Sequence, residues 1–302
     1  MLERGLPTII VRLLSYWYSS QRFLISWSTS LSAPFKVSNG VRQGGIMSPL
    51  LYNVFIDDLS KMLSESKIGC YVNNACVNHL MYADDSVLVS PSPFALQSLV
   101  NMCEQYANDN EITYNAKKTV CMCIKSKPCK NINVPSISLD GKLLKWVLIH
   151  KYLGVVLRND MNDCDDMKRQ LCAIYAKGNM MLRKFNRCSD KVKVTLFKAH
   201  CMNLYCCPLW ICFNNRMYQK VKVAYNNIFR HMFGIRRREH VSCHYVSANI
   251  LPFNVIIRKS IFNLKSRIEN NSNLILSSIV NSKFFMLSSS MNCRWKKSLY
   301  MY

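Results

Sequence analysis

The chain has 302 residues, half of them hydrophobic, and a formal net charge of +23. This length can bury more than one hydrophobic core, and ordinary domain sizes suggest two domains. The 15 cysteines include no Cys-x-x-Cys spacing and follow no secretory signal, which argues against a zinc module and a disulfide-stapled secreted protein. We expect reduced cysteines in hydrophobic cores, and an intracellular protein found in the cytoplasm and nucleus.

The first forty residues are predicted to be mostly helical. Ile9, Leu13 and Trp17 recur at helical spacing, with Ile10 and Leu14 beside them, so they form one apolar stripe. We expect this stripe to pack beside the domain that follows.

A helix is predicted over residues 48–64. Ser48 can cap its free backbone N–H groups, and Pro49 suits its first position. Leu51, Val54, Phe55, Leu59, Met62 and Leu63 recur at helical spacing behind them.

The loop before this helix is a candidate binding segment. Gly44 and Gly45 leave its backbone uncovered, so that a base or a sugar could approach closely. Arg42 and Gln43 can donate hydrogen bonds to bases or phosphates. An ordinary loop-to-helix junction would look the same, and the loop alone therefore does not decide between the two interpretations.

Two adjacent carboxylates, Asp84 and Asp85, lie between the short apolar runs 78–81 and 86–89. These runs predict a hairpin within residues 70–90 that carries both carboxylates at its tip. Mg²⁺ binds oxygen ligands, usually one or two carboxylates together with substrate phosphates. Two such ions clamp the attacking and leaving oxygens of a phosphoryl transfer.

Adjacent aspartates also occur at residues 57–58 and 165–166, where they are interpreted as solvated carboxylates of a helix or loop. An Asp-Asp pair alone is therefore a weak signal. The strand-turn-strand context favours a metal site at Asp84 and Asp85, since Met81, Val87 and Val89 suit a buried sheet.

The rest of the chain is predicted as a helix over residues 94–108, strands over 111–125 and 137–157, and several helices over 167–300. The join between the two domains is placed near Arg158. The apolar run from Leu196 to Phe213 is predicted as a buried helix. It carries Lys198, His200 and Asn203, so it does not suit a membrane span, and no membrane partner is expected.

Taken together, these segments resemble the reverse transcriptases of non-LTR (LINE-type) retrotransposons, most closely the jockey-like group. The resemblance is strongest at Arg42-Gln43-Gly44-x-x-x-Ser48-Pro49 and Tyr82-Ala83-Asp84-Asp85. Asn115-Ala116-Lys117-Lys118 is similar to the family's Asn-x-x-Lys segment. His150-Lys151-Tyr152-Leu153-Gly154 is similar to its primer-side turn. Group II intron and telomerase enzymes share the Asp-Asp hairpin, but the two flanking motifs look more like the LINE type.

The resemblance implies an α+β fold. Residues 1–157 would form part of a reverse-transcriptase palm, an antiparallel sheet with helices on one face, with a helical segment at its start. Residues 158–302 would form an all-helical, basic, thumb-like region. The implied reaction is Mg²⁺-dependent nucleotidyl transfer from a dNTP onto the 3′ end of a DNA primer, copying an RNA template.

The resemblance also implies roles for single residues. Asp84 and Asp85 would bind Mg²⁺, and Lys118 would lie near the incoming pyrophosphate as a proton donor. Residues at the nucleotide and template site would be Arg42, Gln43, Gly44, Gly45 and Tyr82. Residues on the primer side would be Tyr152, Leu153 and Gly154.

Relatives of this kind carry a first catalytic strand, Phe-x-x-x-Asp-x-x-x-Ala-Phe-Asp, ahead of the segment with which this sequence starts. Glu3 is the only acidic residue before Arg42, and it does not lie in an apolar strand. We therefore expect a fragment with an incomplete two-metal site. Two functions remain open: an RNA-directed DNA polymerase, and an inactive remnant that binds nucleic acid.

Positive charge is concentrated in the second part of the chain. Residues 1–116 hold seven Lys and Arg against nine Asp and Glu, whereas residues 117–302 hold 33 against eight. Lys and Arg contacts to phosphates release counterions and supply most sequence-independent affinity, which suits a grip on a template–primer duplex. The densest runs are 236–238 and 294–297, for which a solvated face or a nuclear-import signal is an equally open interpretation.

Overall fold

The structure is a computed structural model. It describes residues 1–37, 40–124, 134–287 and 290–300. Its helices are α1 (Thr8–Ser20), α2 (Ser48–Glu65), α3 (Pro93–Asp109), α4 (Cys164–Phe185), α5 (Asp190–His200), α6 (Asn215–Phe233), α7 (Val241–Ser247), α8 (Phe253–Glu269), α9 (Leu274–Val280), α10 (Lys283–Met286) and α11 (Met291–Tyr300). Its strands are β1 (Ser26–Trp27), β2 (Ser30–Leu31), β3 (Cys70–Val72), β4 (Ala75–Val77), β5 (His79–Tyr82), β6 (Asp85–Leu88), β7 (Val120–Cys121), β8 (Ser138–Leu139), β9 (Lys142–Leu143), β10 (Lys145–Trp146), β11 (Ile149–Tyr152) and β12 (Val155–Arg158).

The chain forms two compact units. The first consists of Met1–Cys70 and Asn78–Ile112, and the second of Tyr71–Val77 and Thr113–Tyr302. The mixture of helices and short, mostly antiparallel strands agrees with the expected α+β class. The expected domain limits at residue 157 stay a prediction.

The core of the first unit lies between α2 and α3. Both helices occur where they are predicted, because apolar side chains recur along one face of each. In α3 the Ser92 hydroxyl accepts the Ala95 N–H at 3.2 Å, which caps a helix whose first residue is proline. The buried residues of the two helices include Leu59, Leu63, Leu99, Val100, Cys103 and Tyr106. The Tyr106 hydroxyl also donates to the Phe55 carbonyl at 2.6 Å.

The hairpin of β5 and β6 is fastened to α2 by polar contacts at its base. The buried Asn78 amide donates to the Leu63 carbonyl at 2.5 Å. Its oxygen lies 2.7 Å from Nδ1 of His79, and Nε2 of the same ring lies 2.7 Å from the Ser60 hydroxyl. Because the amide oxygen can only accept, Nδ1 carries the proton and Nε2 accepts from Ser60. His79 therefore has a structural role.

Acidification should destabilise the chain through His79. Burial lowers the pKa of the His79 imidazole below its ordinary value. Below a pH of about 6.5 the unfolded chain would therefore bind a proton that the folded chain does not, and stability would fall until the folded pKa is reached. Above this range the two states bind equally and the effect vanishes. Urea unfolding at several pH values should show this loss in the wild type and a smaller loss in His79→Gln. An identical pH dependence in both proteins would contradict the assignment.

The first forty residues differ from their prediction. Only α1 is a long helix there, while β1 and β2 form a short hairpin and Phe23 pairs with Phe35 in an isolated bridge. The expectation that the apolar stripe packs on the next domain is wrong, since α1 buries none of its residues and Ile9 is 74% exposed. Helical periodicity identified the helix, but it does not specify a partner for its apolar face.

The strands of the second unit are shorter than predicted. Residues 111–119 contain a turn instead of a strand, and residue 125, the predicted end of that strand, lies outside the described residues. Across the described parts of both units the strands pair in two-stranded ladders, of which β7 with β10 is parallel. Residues with positive φ, such as Asp140 and Leu153, lie in the tight turns of hairpins whose strands are only two to four residues long.

The helices of the second unit enclose its main core. Helices α4 and α6 pack closely because Gly178 leaves room for Ile228, with which a Cβ at position 178 would overlap. The buried core includes Met167, Ile174, Met181, Phe197, Val221, Ala224, Tyr225 and Phe229. The predicted helical character of residues 167–300 is confirmed.

The predicted buried helix from Leu196 to Phe213 is wrong. Helix α5 ends at His200, and the chain continues through turns and a short 3-10 helix, Cys207–Leu209. Cys206 adopts a left-handed conformation with φ of 58°, which ends any helical path there. Over the described ranges, no single helix is long and apolar enough to span a bilayer, although one bent pair of short helices meets the criteria of length and composition.

Two expectations about side chains hold only in part. The fourteen described cysteines are free thiols, but Cys172 and Cys243 are exposed instead of in a core. The basic run 294–297 is not a uniform charged surface. Trp295 is 2% exposed and donates to the Pro208 carbonyl at 2.9 Å, while the Arg294 guanidinium donates to the Ile211 carbonyl.

Candidate active site

The candidate catalytic carboxylates lie at a tight turn. Tyr82 pairs with Asp85, so that Ala83 and Asp84 form a two-residue loop between β5 and β6. Ala83 has φ of 52°, a conformation that costs an L-residue about 1–2 kcal/mol and marks the turn as strained. Both carboxylates and the Tyr82 ring are exposed. The turn therefore presents two adjacent negative charges to solvent.

The pair Asp57 and Asp58 is neutralised by nearby cations. The Arg4 guanidinium bridges both carboxylates, at 2.9 Å to Asp57 and 2.8 Å to Asp58. The Lys61 ammonium lies 3.3 Å from Asp57, one helical turn away. These carboxylates lie on the helix surface in contact with solvent, as predicted, and both are ion-paired.

The pair Asp165 and Asp166 is also occupied, and Asp166 is only 1% exposed. Asp165 accepts from Arg158 at 2.6 Å, whereas Asp166 accepts from Arg169 at 2.7 Å and from the Trp210 indole at 2.9 Å. Burial acts to raise the pKa of Asp166, but these hydrogen bonds outweigh it and hold that pKa below its usual value. The interpretation of this pair as solvated carboxylates is wrong.

Asp84 and Asp85 differ from both pairs. Among the residues that the structure describes, neither carboxylate has an ion pair or a side-chain hydrogen bond. The charge of Asp84 acts on Tyr52 of α2, whose pKa is raised by burial and by that negative charge. Sequence reasoning missed Tyr52, because no local pattern connects it to a hairpin thirty residues later.

The loop before α2 is closed on itself by the Arg42 carbonyl. This oxygen accepts from the Ser48 hydroxyl at 2.5 Å and from the Gly45 N–H at 3.0 Å. Ser48 therefore does not cap the helix as predicted. It is the first helical residue, with Pro49 second, and its hydroxyl points back to fix the loop. Gly44 adopts φ of 78°, which glycine accommodates readily.

Gly45→Ala should destabilise the chain by about 1–3 kcal/mol, since a Cβ there would lie 2.6 Å from the Ser48 hydroxyl oxygen. The cost should fall sharply in a Ser48→Ala background, where that oxygen is absent. Chemical denaturation of the two single variants and the double variant measures this coupling. Additive effects would show that the contact is not what excludes a side chain.

Arg42 and Gln43 border a small cavity of about 100 Å³. Its other side is lined by Tyr18, in the last turn of α1, and by Gln21 and Phe23, which follow that helix. Two of the predicted nucleotide and template residues are thus next to a small, partly open cavity that has aromatic and hydrogen-bonding walls.

Lys118 lies in a turn at the start of the second unit. The Asn115 side chain accepts the backbone N–H of Lys117 at 3.1 Å and that of Lys118 at 3.2 Å. Such turns are typical of asparagine, which explains the Asn-x-x-Lys spacing. The Lys118 side chain is exposed.

The predicted primer-side residues form the turn between β11 and β12. Tyr152 pairs with Val155, which leaves Leu153 and Gly154 as a two-residue loop. Both adopt positive φ, 44° at Leu153 and 81° at Gly154.

The carboxylate pair fits one Mg²⁺ ion, which can bind through one or two carboxylates together with water and substrate phosphates. It does not fit two ions, since a two-metal site needs ligands from more than one direction. Within residues 1–37, 40–124, 134–287 and 290–300, no group of three or more His, Cys, Asp or Glu side chains could hold a metal.

The sequence is similar to curated proteins of mobile elements in Drosophila melanogaster. It is 34% identical over 135 residues to the Retrovirus-related Pol polyprotein from type-2 retrotransposable element R2DM, covering 43% of this chain and 12% of the relative. It is 21% identical over 244 residues to a probable RNA-directed DNA polymerase from transposon X-element, covering 77% and 26%. It is 23% identical over 208 residues to the RNA-directed DNA polymerase from mobile element jockey, covering 65% and 22%. The chain thus spans about a quarter or less of each of these relatives.

The sequence profile described as reverse transcriptase (RNA-dependent DNA polymerase) matches residues 3–157. This is 155 of the 302 residues, and it includes the loop before α2 and the hairpin of β5 and β6. The relatives confirm the resemblance to reverse transcriptases of non-LTR retrotransposons. The chain therefore belongs to the reverse transcriptase family.

Proposed function

We propose that this chain is part of an RNA-directed DNA polymerase that adds nucleotides to the 3′ end of a DNA primer on an RNA template. One observation carries the proposal. Of the three adjacent aspartate pairs, Asp84 and Asp85 alone have no ion pair among the described residues. Both carboxylates are exposed at the turn, so a metal ion can reach them from solvent.

The family fold supplies a further part of the proposal. The helices α2 and α3 with the hairpin of β5 and β6 would belong to a palm. The helices from α4 onward would belong to a thumb-like region with an excess of positive charge. That excess favours a partner with a phosphate backbone, namely the RNA template with its DNA primer.

Each candidate residue would have a limited task. Asp84 and Asp85 would hold Mg²⁺, which when bound supplies charge stabilisation for the transferring phosphoryl group. Arg42 and Gln43 would hydrogen-bond the nucleotide or the template base, and Gly44 and Gly45 would keep the backbone accessible.

Three further positions complete the proposed roles. Tyr82 would lie against the nucleotide. The Lys118 ammonium would donate a proton to the leaving pyrophosphate. The turn formed by Leu153 and Gly154, preceded by Tyr152, would support the primer.

Metal binding tests the assignment without requiring turnover. Mn²⁺, which can substitute for Mg²⁺ at oxygen ligands, should bind weakly in the presence of dATP, as seen by electron paramagnetic resonance. The Asp84→Asn/Asp85→Asn variant should lose this site. The control, Asp57→Asn/Asp58→Asn, removes the same charge from a pair that is already neutralised by Arg4. Equal loss of Mn²⁺ binding in both variants would indicate a nonspecific charge effect and overturn the proposal.

The second candidate function is an inactive remnant that binds nucleic acid. The small number of carboxylates near the hairpin favours it. The two candidates predict the same affinity for a duplex and differ only in nucleotide addition.

A further inference from the structure

The turn between β11 and β12 is conformationally demanding. Leu153 occupies the left-handed region with φ of 44°, which leucine rarely adopts. Gly154 follows with φ of 81°. Positive φ at both central residues is typical of a tight two-residue hairpin turn, where asparagine, aspartate or glycine would be expected in place of leucine.

Tyr205 holds this turn from the loop that follows α5. Its hydroxyl donates to the Leu153 carbonyl at 2.8 Å. Its ring lies against Gly154, where a Cβ would come within 3.1 Å of Cε1 of the ring. The two contacts fix both residues of the turn from one side. Tyr205 is itself 47% exposed, so it is not a core residue that meets the turn by chance.

Tyr205 is itself held in position by Arg169, which is bound to Asp166. The Arg169 guanidinium lies 6.0 Å above the Tyr205 ring, and its Nε donates to Asp166 at 2.7 Å. Asp166 also accepts the Val156 N–H of β12 at 3.0 Å. The start of α4 therefore contacts strand β12 directly through Asp166. It also supports the tip of the hairpin indirectly, through Arg169 and Tyr205.

A second turn shows that this support is not needed for the backbone conformation. Asp140 and Gly141 join β8 to β9 with φ of 52° and 68°, close to the values at Leu153 and Gly154. A Cβ at Gly141 would meet nothing within 4 Å. The same kind of turn thus forms without a covering side chain. The contacts of Tyr205 exceed what the turn requires.

We propose that Tyr205 is a positioning residue, which holds the Leu153–Gly154 turn in the orientation that supports the 3′-terminal nucleotide of the primer. This inference rests on the proposed function, from which the primer-side role of the turn comes. Leu153 is 37% exposed, and Lys151, two residues earlier in β11, is exposed as well. The tip is thus open to a partner, and its neighbouring cation suits a phosphate.

The test compares two duplexes of an RNA template with a DNA primer. One has a recessed primer 3′ end, and in the other the same paired region has both ends closed by loops. The wild-type chain should bind the recessed duplex more tightly. Tyr205→Phe keeps the ring and removes the hydroxyl, so it should reduce this preference roughly three- to tenfold, as expected for one hydrogen bond. Its affinity for the closed duplex should not change.

Tyr225→Phe is the matched control for a general loss of stability. Its hydroxyl also donates to a backbone carbonyl, that of Leu251 at 2.7 Å, but in the buried core. This variant should lower the melting temperature and leave the preference for a recessed end intact.

Gly154→Ala provides a second, independent perturbation, because its Cβ would press on the Tyr205 ring. Gly141→Ala imposes comparable backbone strain at the turn without a covering residue. Only Gly154→Ala should reduce the preference for the recessed end.

The two possible failures are distinguishable. A wild-type chain with no preference for the recessed duplex would overturn the primer-side role, and with it this inference. A clear wild-type preference that survives in both Tyr205→Phe and Gly154→Ala would overturn the positioning role of Tyr205 alone.

Discussion

Residues 1–302 by themselves should give no Mg²⁺-dependent extension of a DNA primer on an RNA template. The described residues offer Asp84 and Asp85 from a single hairpin and no third acidic ligand beside them. Two carboxylates at one turn cannot bridge two ions about 3.5–4 Å apart from more than one direction. A primer-extension assay on this chain measures the effect directly. Robust extension would show that this chain supplies a further metal ligand besides Asp84 and Asp85.

Joining the chain to a segment that carries an aspartate on an apolar strand should then switch synthesis on. In that protein Asp84→Ala should lower the rate about a thousandfold or more, because several kcal/mol of transition-state stabilisation would be lost. Binding of the duplex should remain almost unchanged. Asp57→Ala is the control, since Arg4 and Lys61 already neutralise that carboxylate. If the joined protein remains inactive while it still binds the duplex, the inactive remnant is the better description.

Binding of an RNA–DNA duplex should depend steeply on salt, and Arg236, Arg237 and Arg238 should supply part of that dependence. All three side chains are exposed in the loop after α6. Replacing them together by Gln should weaken binding about tenfold or more at low salt. It should also lower the slope of log affinity against log salt by up to about 2.7, because each phosphate contact contributes about 0.9.

The matched control replaces three exposed cations of the first unit, Arg12, Arg22 and Lys36, by Gln. The charge change is the same, but affinity should change little. Equal losses in the two triple variants would show that net charge, and not the basic region, determines binding. Neutralisation is preferable to truncation after Leu157, since that cut would remove Asp166 from its contact with Val156 in β12.

Much of the secondary structure followed from local patterns. Helices α2 and α3 occur within one residue of their predicted limits, because apolar spacing marks each of them clearly. The hairpin of β5 and β6 followed from two short apolar runs around a turn. The helix limits failed between residues 196 and 213, where apolar composition continues after α5 has ended at His200.

Contacts between distant residues could not be predicted in this way. Arg4 meets Asp57 and Asp58 across more than fifty positions, and Trp210 meets Asp166 across forty-four. In the sequence, the strand-turn-strand context sets Asp84 and Asp85 apart from the other two aspartate pairs, but it does not show which pairs have cation partners. Only the positions of those partners in space distinguish the two occupied pairs from the exposed one.

The sequence by itself determined the family, the candidate carboxylates at a hairpin and the strong positive charge after residue 117. These properties depend on residue type and short spacing, which need no knowledge of the fold. The tertiary structure decided that Asp84 and Asp85 have no ion pair in the described residues, that α1 leaves its apolar stripe exposed, and that Tyr205 reaches Leu153. Burial and pairing depend on which elements pack together, and local patterns do not specify the partner of an apolar face or of a charge.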